Sequence, residues 1–189
     1  MCVRYSITLD RSDPRMEALN DRMEKHFSGR YCVGEIWPGS AAPSIVCHDE
    51  RITAVPATFG VPAFQGGGLL INARSETASM KRTFRESLKA QRILLPATGF
   101  YERDREQKNR MVFFVPEDGR TIYLCGLYFL LDGVIRFVIL TREAEEPVLP
   151  FHDRMPVMVD ETQVRPWLTD LSAAEELLTA PPLPLVHIG

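Results

Sequence analysis

Cysteine stands second in this chain, so removal of Met1 leaves an α-amino group and a thiol on adjacent carbons. No internal cysteine offers that 1,2-aminothiol. It can attack as thiolate, as amine, or as both. Toward an aldehyde, the amine forms a Schiff base and the thiol then closes a five-membered thiazolidine. Both groups need help near neutrality, since a free α-amino group titrates at about 8 and a thiol at about 8.5. Further segments pair reactive side chains with the ends of apolar, strand-like runs: Asn72-Ala73-Arg74-Ser75-Glu76-Thr77, Gly99-Phe100-Tyr101-Glu102, and Phe151-His152-Asp153-Arg154-Met155-Pro156-Val157. A carboxyl such as Glu102 can accept and return protons. His152 can shuttle one, and Asn72 can hold an amino group by hydrogen bonds. Singly, each also has an ordinary use, as a turn asparagine, a surface carboxylate or a core histidine. Together with Cys2 they make a candidate site.

Several elements must position these residues. Residues 2–8 alternate like a strand. Asp13-Pro14 opens a helix, with aspartate as N-cap and proline in the first turn, and Met16, Leu19, Met23 and Phe27 give it an apolar stripe. Residues 30–43 read as loop, turning at Pro38-Gly39. Residues 44–47 and 51–57 form a short strand pair that ends at Phe59-Gly60-Val61-Pro62. Gly66-Gly67-Gly68 lacks the following Lys-Ser/Thr of a phosphate loop. Residues 69–71 are a brief strand delivering Asn72. Thr83 to Glu86 has capping-box spacing and starts a helix through Gln91. Residues 93–95 and 98–101 are strands or one bent strand. Residues 111–115, 121–131 and 134–141 are joined at Asp118-Gly119 and Asp132-Gly133, which predicts an antiparallel meander. Ser172 to Glu175 is a second capping-box pattern, and its helix stops at Pro181, Pro182 and Pro184. The mixture predicts an α+β fold: one domain over 1–189, a mostly antiparallel, curved, barrel-like sheet, and a few flanking helices.

Composition narrows the class. At 189 residues the chain can bury a sizeable core, and 45% hydrophobic with 25% charged residues is ordinary for a globular protein. No apolar run approaches the roughly 20 residues of a membrane helix, and the start lacks a basic region followed by an apolar stretch. Cys2, Cys32, Cys47 and Cys125 show no CxxC pair. A reduced, cytoplasmic protein fits. Cys47-His48 has no second ligand pair at zinc spacing, so neither metal nor other cofactor is expected. A net charge of -3 does not advertise a nucleic-acid binder. The stretch from Asn72 to Arg92 nevertheless carries Arg74, Lys81, Arg82, Arg85, Lys89 and Arg92 against Glu76 and Glu86. Such a stretch can line a phosphate groove or form a solvated helix face.

These motifs together resemble the SRAP family, the SOS-response-associated peptidase domain proteins. Its carriers are Met1-Cys2-Val3-Arg4-Tyr5, Arg30-Tyr31, Pro38-Gly39, Phe59-Gly60-Val61-Pro62, Ile71 to Thr77, Gly99 to Glu102, Thr141, and His152-Asp153-Arg154-Met155-Pro156, in the family's order. The Asn-Ala-Arg-x-Glu-Thr and His-Asp-Arg-x-Pro segments are the most specific. The resemblance implies a protein that shields abasic sites in single-stranded DNA. There the N-terminal cysteine meets the ring-opened aldehyde and forms a thiazolidine crosslink. By motif, Cys2 is the nucleophile, with Asn72, Glu102 and His152 around it. Arg4, Arg74 and Arg82 match positions near DNA phosphates. Phe59 matches an aromatic that stacks on a base, and Pro38 a loop proline near the lesion. Thr141 and Arg154 join this DNA-contacting set, although an Asp153–Arg154 ion pair supporting the His152 loop is an equal reading. The expected partner is single-stranded DNA bearing abasic sites, bound by a monomer that associates with the nucleoid when acting.

The chain also departs from the family pattern. Val3 replaces the usual glycine, Phe59 stands where tryptophan is common, and Arg103 stands where tryptophan usually follows the glutamate. The chain ends soon after its C-terminal helix, where relatives commonly carry a further segment. Two other functions stay open: a thiol autopeptidase or amidohydrolase using Cys2, and a non-covalent single-strand binding module.

Overall fold

The computed structural model describes residues 3–9, 13–63, 66–107 and 109–188; the Cys2 assignment lies outside them. Strand β1 (Arg4–Ile7) is followed by helix α1 (Pro14–Phe27). Asp13 caps α1 by accepting from the Arg15 N–H at 2.9 Å, and Met16, Leu19 and Met23 are its buried face. Then come β2 (Gly34–Ile36), β3 (Ala41–His48), β4 (Arg51–Phe59), β5 (Val61–Pro62), β6 (Leu69–Leu70) and β7 (Asn72–Arg74). Helices α2 (Ser75–Ala78) and α3 (Arg82–Ala90) lead into β8 (Arg92–Ala97), β9 (Gly99–Arg103), β10 (Met111–Pro116), β11 (Ile122–Leu131) and β12 (Val134–Glu143). Short strands β13 (Arg154–Pro156) and β14 (Met158–Val159), helices α4 (Val164–Thr169) and α5 (Leu171–Leu177), and strand β15 (Leu185–Ile188) complete the chain.

The fold is α+β, with mostly antiparallel sheet. One sheet runs β15-β10-β9-β1-β2. In the other, β4-β3-β8-β11-β12 are paired in turn, and β12 returns to β4 through a short parallel contact, which closes a ring. Strands β13 and β7 attach to β12, and β14 to β11. The main core joins Tyr5, Phe100, Val112 and Phe114 of the first sheet to Phe59, Ile93, Leu95, Phe137 and Ile139 of the second. A second cluster puts Phe84, Leu88, Trp167 and Leu168 under the helices.

Some elements differ from the sequence expectation. The stretch 30–43 is not all loop: it holds β2, too short and too exposed for its alternation to stand out, and the start of β3, which opens at Ala41 rather than 44. The meander is only partly formed. Strands β11 and β12 are a hairpin, but Asp118-Gly119 carries the chain from one sheet to the other, since β10 pairs with β9 and β15. The burial pattern gives the reason. β10 alternates buried and half-buried residues, whereas Ile122 to Leu127 of β11 are buried without a break, as in a strand covered on both faces. Strands β8 and β9 likewise lie in different sheets, and the corner is fixed by Thr98, whose N–H and hydroxyl both donate to the Ser6 carbonyl at 2.8 and 3.2 Å. Neither capping box forms at its expected place. Lys81 is the N-cap of α3, without a side-chain bond, and Asp170 caps α5 by accepting from the Ala173 N–H at 3.2 Å.

Candidate active site

Glu102 owes its position to the two-residue period of β9. Phe100 and Glu102 face the core, while Tyr101 and Arg103 face out. Glu102 is 1% exposed and lies opposite Val112 of β10. Burial pushes its carboxyl up to about 7, and the nearby Asp153 charge pushes the same way. Glu102 therefore exchanges its proton near neutrality, as a general acid–base requires. On its other side β1 runs antiparallel with Arg4 opposite Tyr101, the residue before Glu102, so the start of β1 lies beside the Glu102 end of β9.

The His152 loop is tied to the same strand. Beyond β9, the Arg105 N–H donates to the Phe151 carbonyl at 3.1 Å, and its guanidinium donates to the Phe151 and Leu149 carbonyls at 3.3 and 3.0 Å. Phe151 packs edge-on against Phe114 of the core. His152 Nδ1 accepts the Arg154 N–H at 2.9 Å. The same nitrogen has Asp153 Oδ1 at 3.0 Å, a contact that is an ion pair only if the ring is protonated, when the Arg154 bond is lost. Burial lowers the His152 pKa below its ordinary value and outweighs Asp153. The lowered pKa favours the neutral ring, and acceptance of the Arg154 N–H at Nδ1 favours the tautomer with its proton on Nε2.

Asn72 begins β7, which lies parallel to β12 with Asn72 opposite Ile139; it is 8% exposed. Four residues on, Glu76 of α2 takes a two-pronged hydrogen bond from Arg154 at 2.7 and 2.8 Å. Arg154 also donates to the Thr141 carbonyl at 2.6 Å. The Arg154–Glu76 fork holds the Glu76 carboxyl below its ordinary pKa. One arginine therefore fastens the segments of Asn72 and His152 to β12, and Arg105 fastens the segment of His152 to that of Glu102.

Residues 1–184 match the family model for SOS response associated peptidase (SRAP). The chain belongs to the SRAP family. Abasic site processing protein YedK of Escherichia coli is 27% identical to it over 188 residues, covering 93% of this chain and 83% of YedK. Abasic site processing protein YobE of Bacillus subtilis is 30% identical over 125 residues, 62% of this chain and 57% of YobE. Among solved structures, a protein of Bordetella bronchiseptica superposes with a TM-score of 0.73 at 23% identity, over 98% of each chain. One of Bacteroides thetaiotaomicron superposes with a TM-score of 0.74 at 17% identity, over 100% of this chain and 92% of the other. Both superpositions show a shared fold.

Within this SRAP fold, the DNA-facing candidates separate into accessible and inaccessible groups. Arg74 and Arg82 are exposed, the latter at the first turn of α3. Pro38 is half-buried in the β2–β3 turn, where the Gly39 N–H donates to the Phe59 carbonyl at 2.8 Å. Arg4 pairs with Glu35 at 3.1 Å and lies between the rings of Trp37 and Tyr101. Phe59 is a correction. It is 0% exposed, stacked on Phe137 at 5.0 Å and edge-on to Tyr5, so it has no open face for a base. Thr141 is another: at 1% exposure its hydroxyl donates to the Ala73 carbonyl inside the SRAP core. The Asp153–Arg154 pair is replaced by Arg154–Glu76, and with a side chain 12% exposed Arg154 is committed to holding the fold. Arg92 also leaves the basic surface, because its guanidinium is buried against the carbonyls of Leu88, Lys89, Trp167 and Leu168.

Several contributors escaped the sequence reading. Asp104, 5% exposed, folds the turn after Glu102 by accepting from the Glu106 and Gln107 N–H groups at 2.8 and 3.1 Å. Its position before a polar run was an available signal for such a turn. Arg105 and Trp37 carry no local signal, because their partners are distant in sequence, and the motif that contains Glu76 does not name Arg154 as its partner. Among the described residues no group of three His, Cys, Asp or Glu could hold a metal ion, and no helix is long and apolar enough to cross a membrane. A cavity of about 780 Å³ lies beside the Asp118-Gly119 turn, and neither Asn72, Glu102 nor His152 lines it.

Proposed function

We propose that this SRAP chain, acting as one domain over residues 1–189, captures abasic sites in single-stranded DNA through Cys2. The observation that carries the reading is Glu102: a buried carboxyl with a pKa of about 7, on the strand paired with β1, which begins two residues after Cys2. The family match and the names of the YedK and YobE relatives supply the substrate class.

The chemistry follows from the aminothiol. After Met1 removal, the Cys2 amine adds to the aldehyde carbon of the opened sugar. Glu102, protonated, gives its proton to the departing hydroxyl, which leaves as water, and takes back the proton that the nitrogen sheds as the imine forms. The Cys2 sulfur then adds to the imine carbon, and its proton ends on the ring nitrogen. The net change is one C–N bond, one C–S bond and one water lost. Because amine and thiol share a residue, the second bond forms intramolecularly. His152, whose burial favours the neutral ring, relays protons for Glu102, and Asn72 orients the amine. Arg74 and Arg82 offer phosphate contacts that do not read sequence.

The test is incubation of the purified protein with an abasic single-stranded oligonucleotide. The expected product is a heat-stable adduct with the combined mass less one water, absent in Cys2→Ala and slowed in Glu102→Gln. An adduct undiminished in Cys2→Ala overturns the reading. Salt-sensitive binding that survives Cys2→Ser with no adduct from the wild type assigns a non-covalent binding module instead.

A second reading is peptide chemistry at Cys2, favoured by the peptidase in the family's description. It is tested by intact mass. Glu102→Ala and His152→Ala proteins that still lose Met1 normally assign that cleavage to the cell's aminopeptidase.

A further inference from the structure

On the outer face of the sheet β15-β10-β9-β1-β2, Phe113, Tyr101, Arg4 and Trp37 form one cross-strand ladder. Phe113 lies opposite Tyr101, and Tyr101 opposite Arg4. Tyr5 lies opposite Ile36, so the same register sets Arg4 beside Trp37. The rungs touch in sequence. The Phe113 and Tyr101 rings are stacked at 4.4 Å. The Arg4 guanidinium is 3.9 Å from the Tyr101 ring centre and 4.6 Å from that of Trp37. Phe113 is braced over Gly99, where an added Cβ would come within 2.7 Å of its ring. The alternate residues Tyr5, Phe100, Val112 and Phe114 fill the core on the other face. The helices pack on the second sheet, α1 on β4, α3 on β11 and β8, and α4 on β8 and β3. Among the described residues, therefore, no helix packs extensively on the sheet that carries the ladder.

β2 is the edge strand, so the ladder ends on Trp37. That ring is 47% exposed, and among the described residues no other ring stacks on it. We propose that Trp37 is the stacking surface for an unpaired base flanking the abasic site, a role that Phe59 is too buried to play. The inference rests on the single-stranded DNA ligand of the preceding reading. Its motive is position as well as chemistry. Trp37 adjoins Pro38, Arg4 is two residues from Cys2, and Tyr101 precedes Glu102 in the chain. An abasic nucleotide leaves its neighbour's base without a stacking partner, and a pre-stacked indole supplies one. Stacking on an indole is tolerant of base identity, which suits a damage site in any sequence. The guanidinium beneath Trp37, itself paired with Glu35, holds the indole by a cation–π contact.

The chain has a built-in reporter, because its other tryptophan, Trp167, is 0% exposed. Titration of the whole protein with an undamaged 12-nucleotide oligothymidine at low salt should quench its tryptophan emission. Trp37→Ala should abolish the quench and raise Kd about tenfold or more, and Trp37→Phe should recover much of the affinity. At sub-saturating abasic oligonucleotide, Trp37→Ala should slow adduct formation, and Trp37→Phe should restore much of the rate. Quench and Kd both unchanged in Trp37→Ala overturn the proposal. So does a change from dimer to monomer in Trp37→Ala with DNA affinity intact, which assigns the face to a second copy of the chain. A wild type that shows Trp37-dependent quenching but forms no adduct upholds the ladder and removes the crosslinking reading.

Discussion

The backbone N–H of Arg105 donates to the carbonyl oxygen of Phe151 at 3.1 Å, and the Arg105 guanidinium reaches the same oxygen at 3.3 Å. Three residues before the first group is Glu102, and one residue after the second is His152. Two acid–base side chains separated by 50 positions are thus carried on segments bonded to each other. Both titrate away from their ordinary values for the same reason, burial, and in opposite directions, as an acid and a base should.

Glu102 should make stability fall as pH rises. Its folded pKa is about 7 against an ordinary 4.5, so between those values the folded chain keeps a proton that the unfolded chain has released. The penalty grows through that window and levels off above it, at no more than roughly 3–4 kcal/mol. Urea melts of wild type and Glu102→Gln at pH 5 and pH 8 check this. The wild type should lose stability relative to the variant at pH 8, and a pH-independent difference contradicts it.

His152 should be neutral at pH 7 and protonated on Nε2. With its folded pKa lowered, its contribution to stability is full above about 6.5 and is lost as pH falls toward the folded value. Nitrogen-15 NMR of labelled histidine should give the Nε2–H tautomer and a midpoint below 6.5. Asp153 raises both this pKa and that of Glu102, so Asp153→Asn should lower both midpoints together. Movement of only one would show that Asp153 acts on only one group.

The Arg154–Glu76 fork should be structural. Arg154→Ala should cost about 1–2 kcal/mol at pH 7, since Glu76 is part-exposed and the pair is only partly shielded. Because Arg154 holds the Glu76 pKa below 4.5, the fork stabilises above that pH and is lost as pH falls further. Denaturant melts at pH 7 and pH 3 should find the wild type and Arg154→Ala converging at the lower pH. Arg154→Lys, which keeps the charge without the fork, should recover only part of the loss.

Phe59→Ala should cost about 3–5 kcal/mol, the range for emptying an aromatic site in a packed core. Phe59→Leu should cost less and leave the single-stranded DNA affinity of folded protein unchanged, as fluorescence titration can measure. A specific loss of affinity without a loss of stability would return Phe59 to the DNA surface.

Much of the frame was legible locally. The Asp13-Pro14 cap and apolar stripe of α1, and the Asp132-Gly133 hairpin of β11 and β12, depend on neighbours a few residues apart. The Asp118-Gly119 turn looked the same in sequence but joins two sheets, because which strand accepts β10 depends on β9 and β15 elsewhere in the chain. Phe59 and Trp37 were equally ambiguous, since an aromatic residue at a strand end does not declare its face.

The sequence by itself determined the reactive groups: an aminothiol latent at Cys2, the side chains of Asn72, Glu102 and His152, the basic run around Arg74 and Arg82, and membership of a family through motifs in fixed order. Tertiary structure alone decided the state of those groups. Burial raised Glu102 and lowered His152, Glu76 captured Arg154, and the core took Phe59 while the sheet edge left Trp37 outside. The physical reason is that a residue type fixes which proton or charge is available, whereas its energy depends on water removed and charges approached, and strand pairing between distant segments sets both.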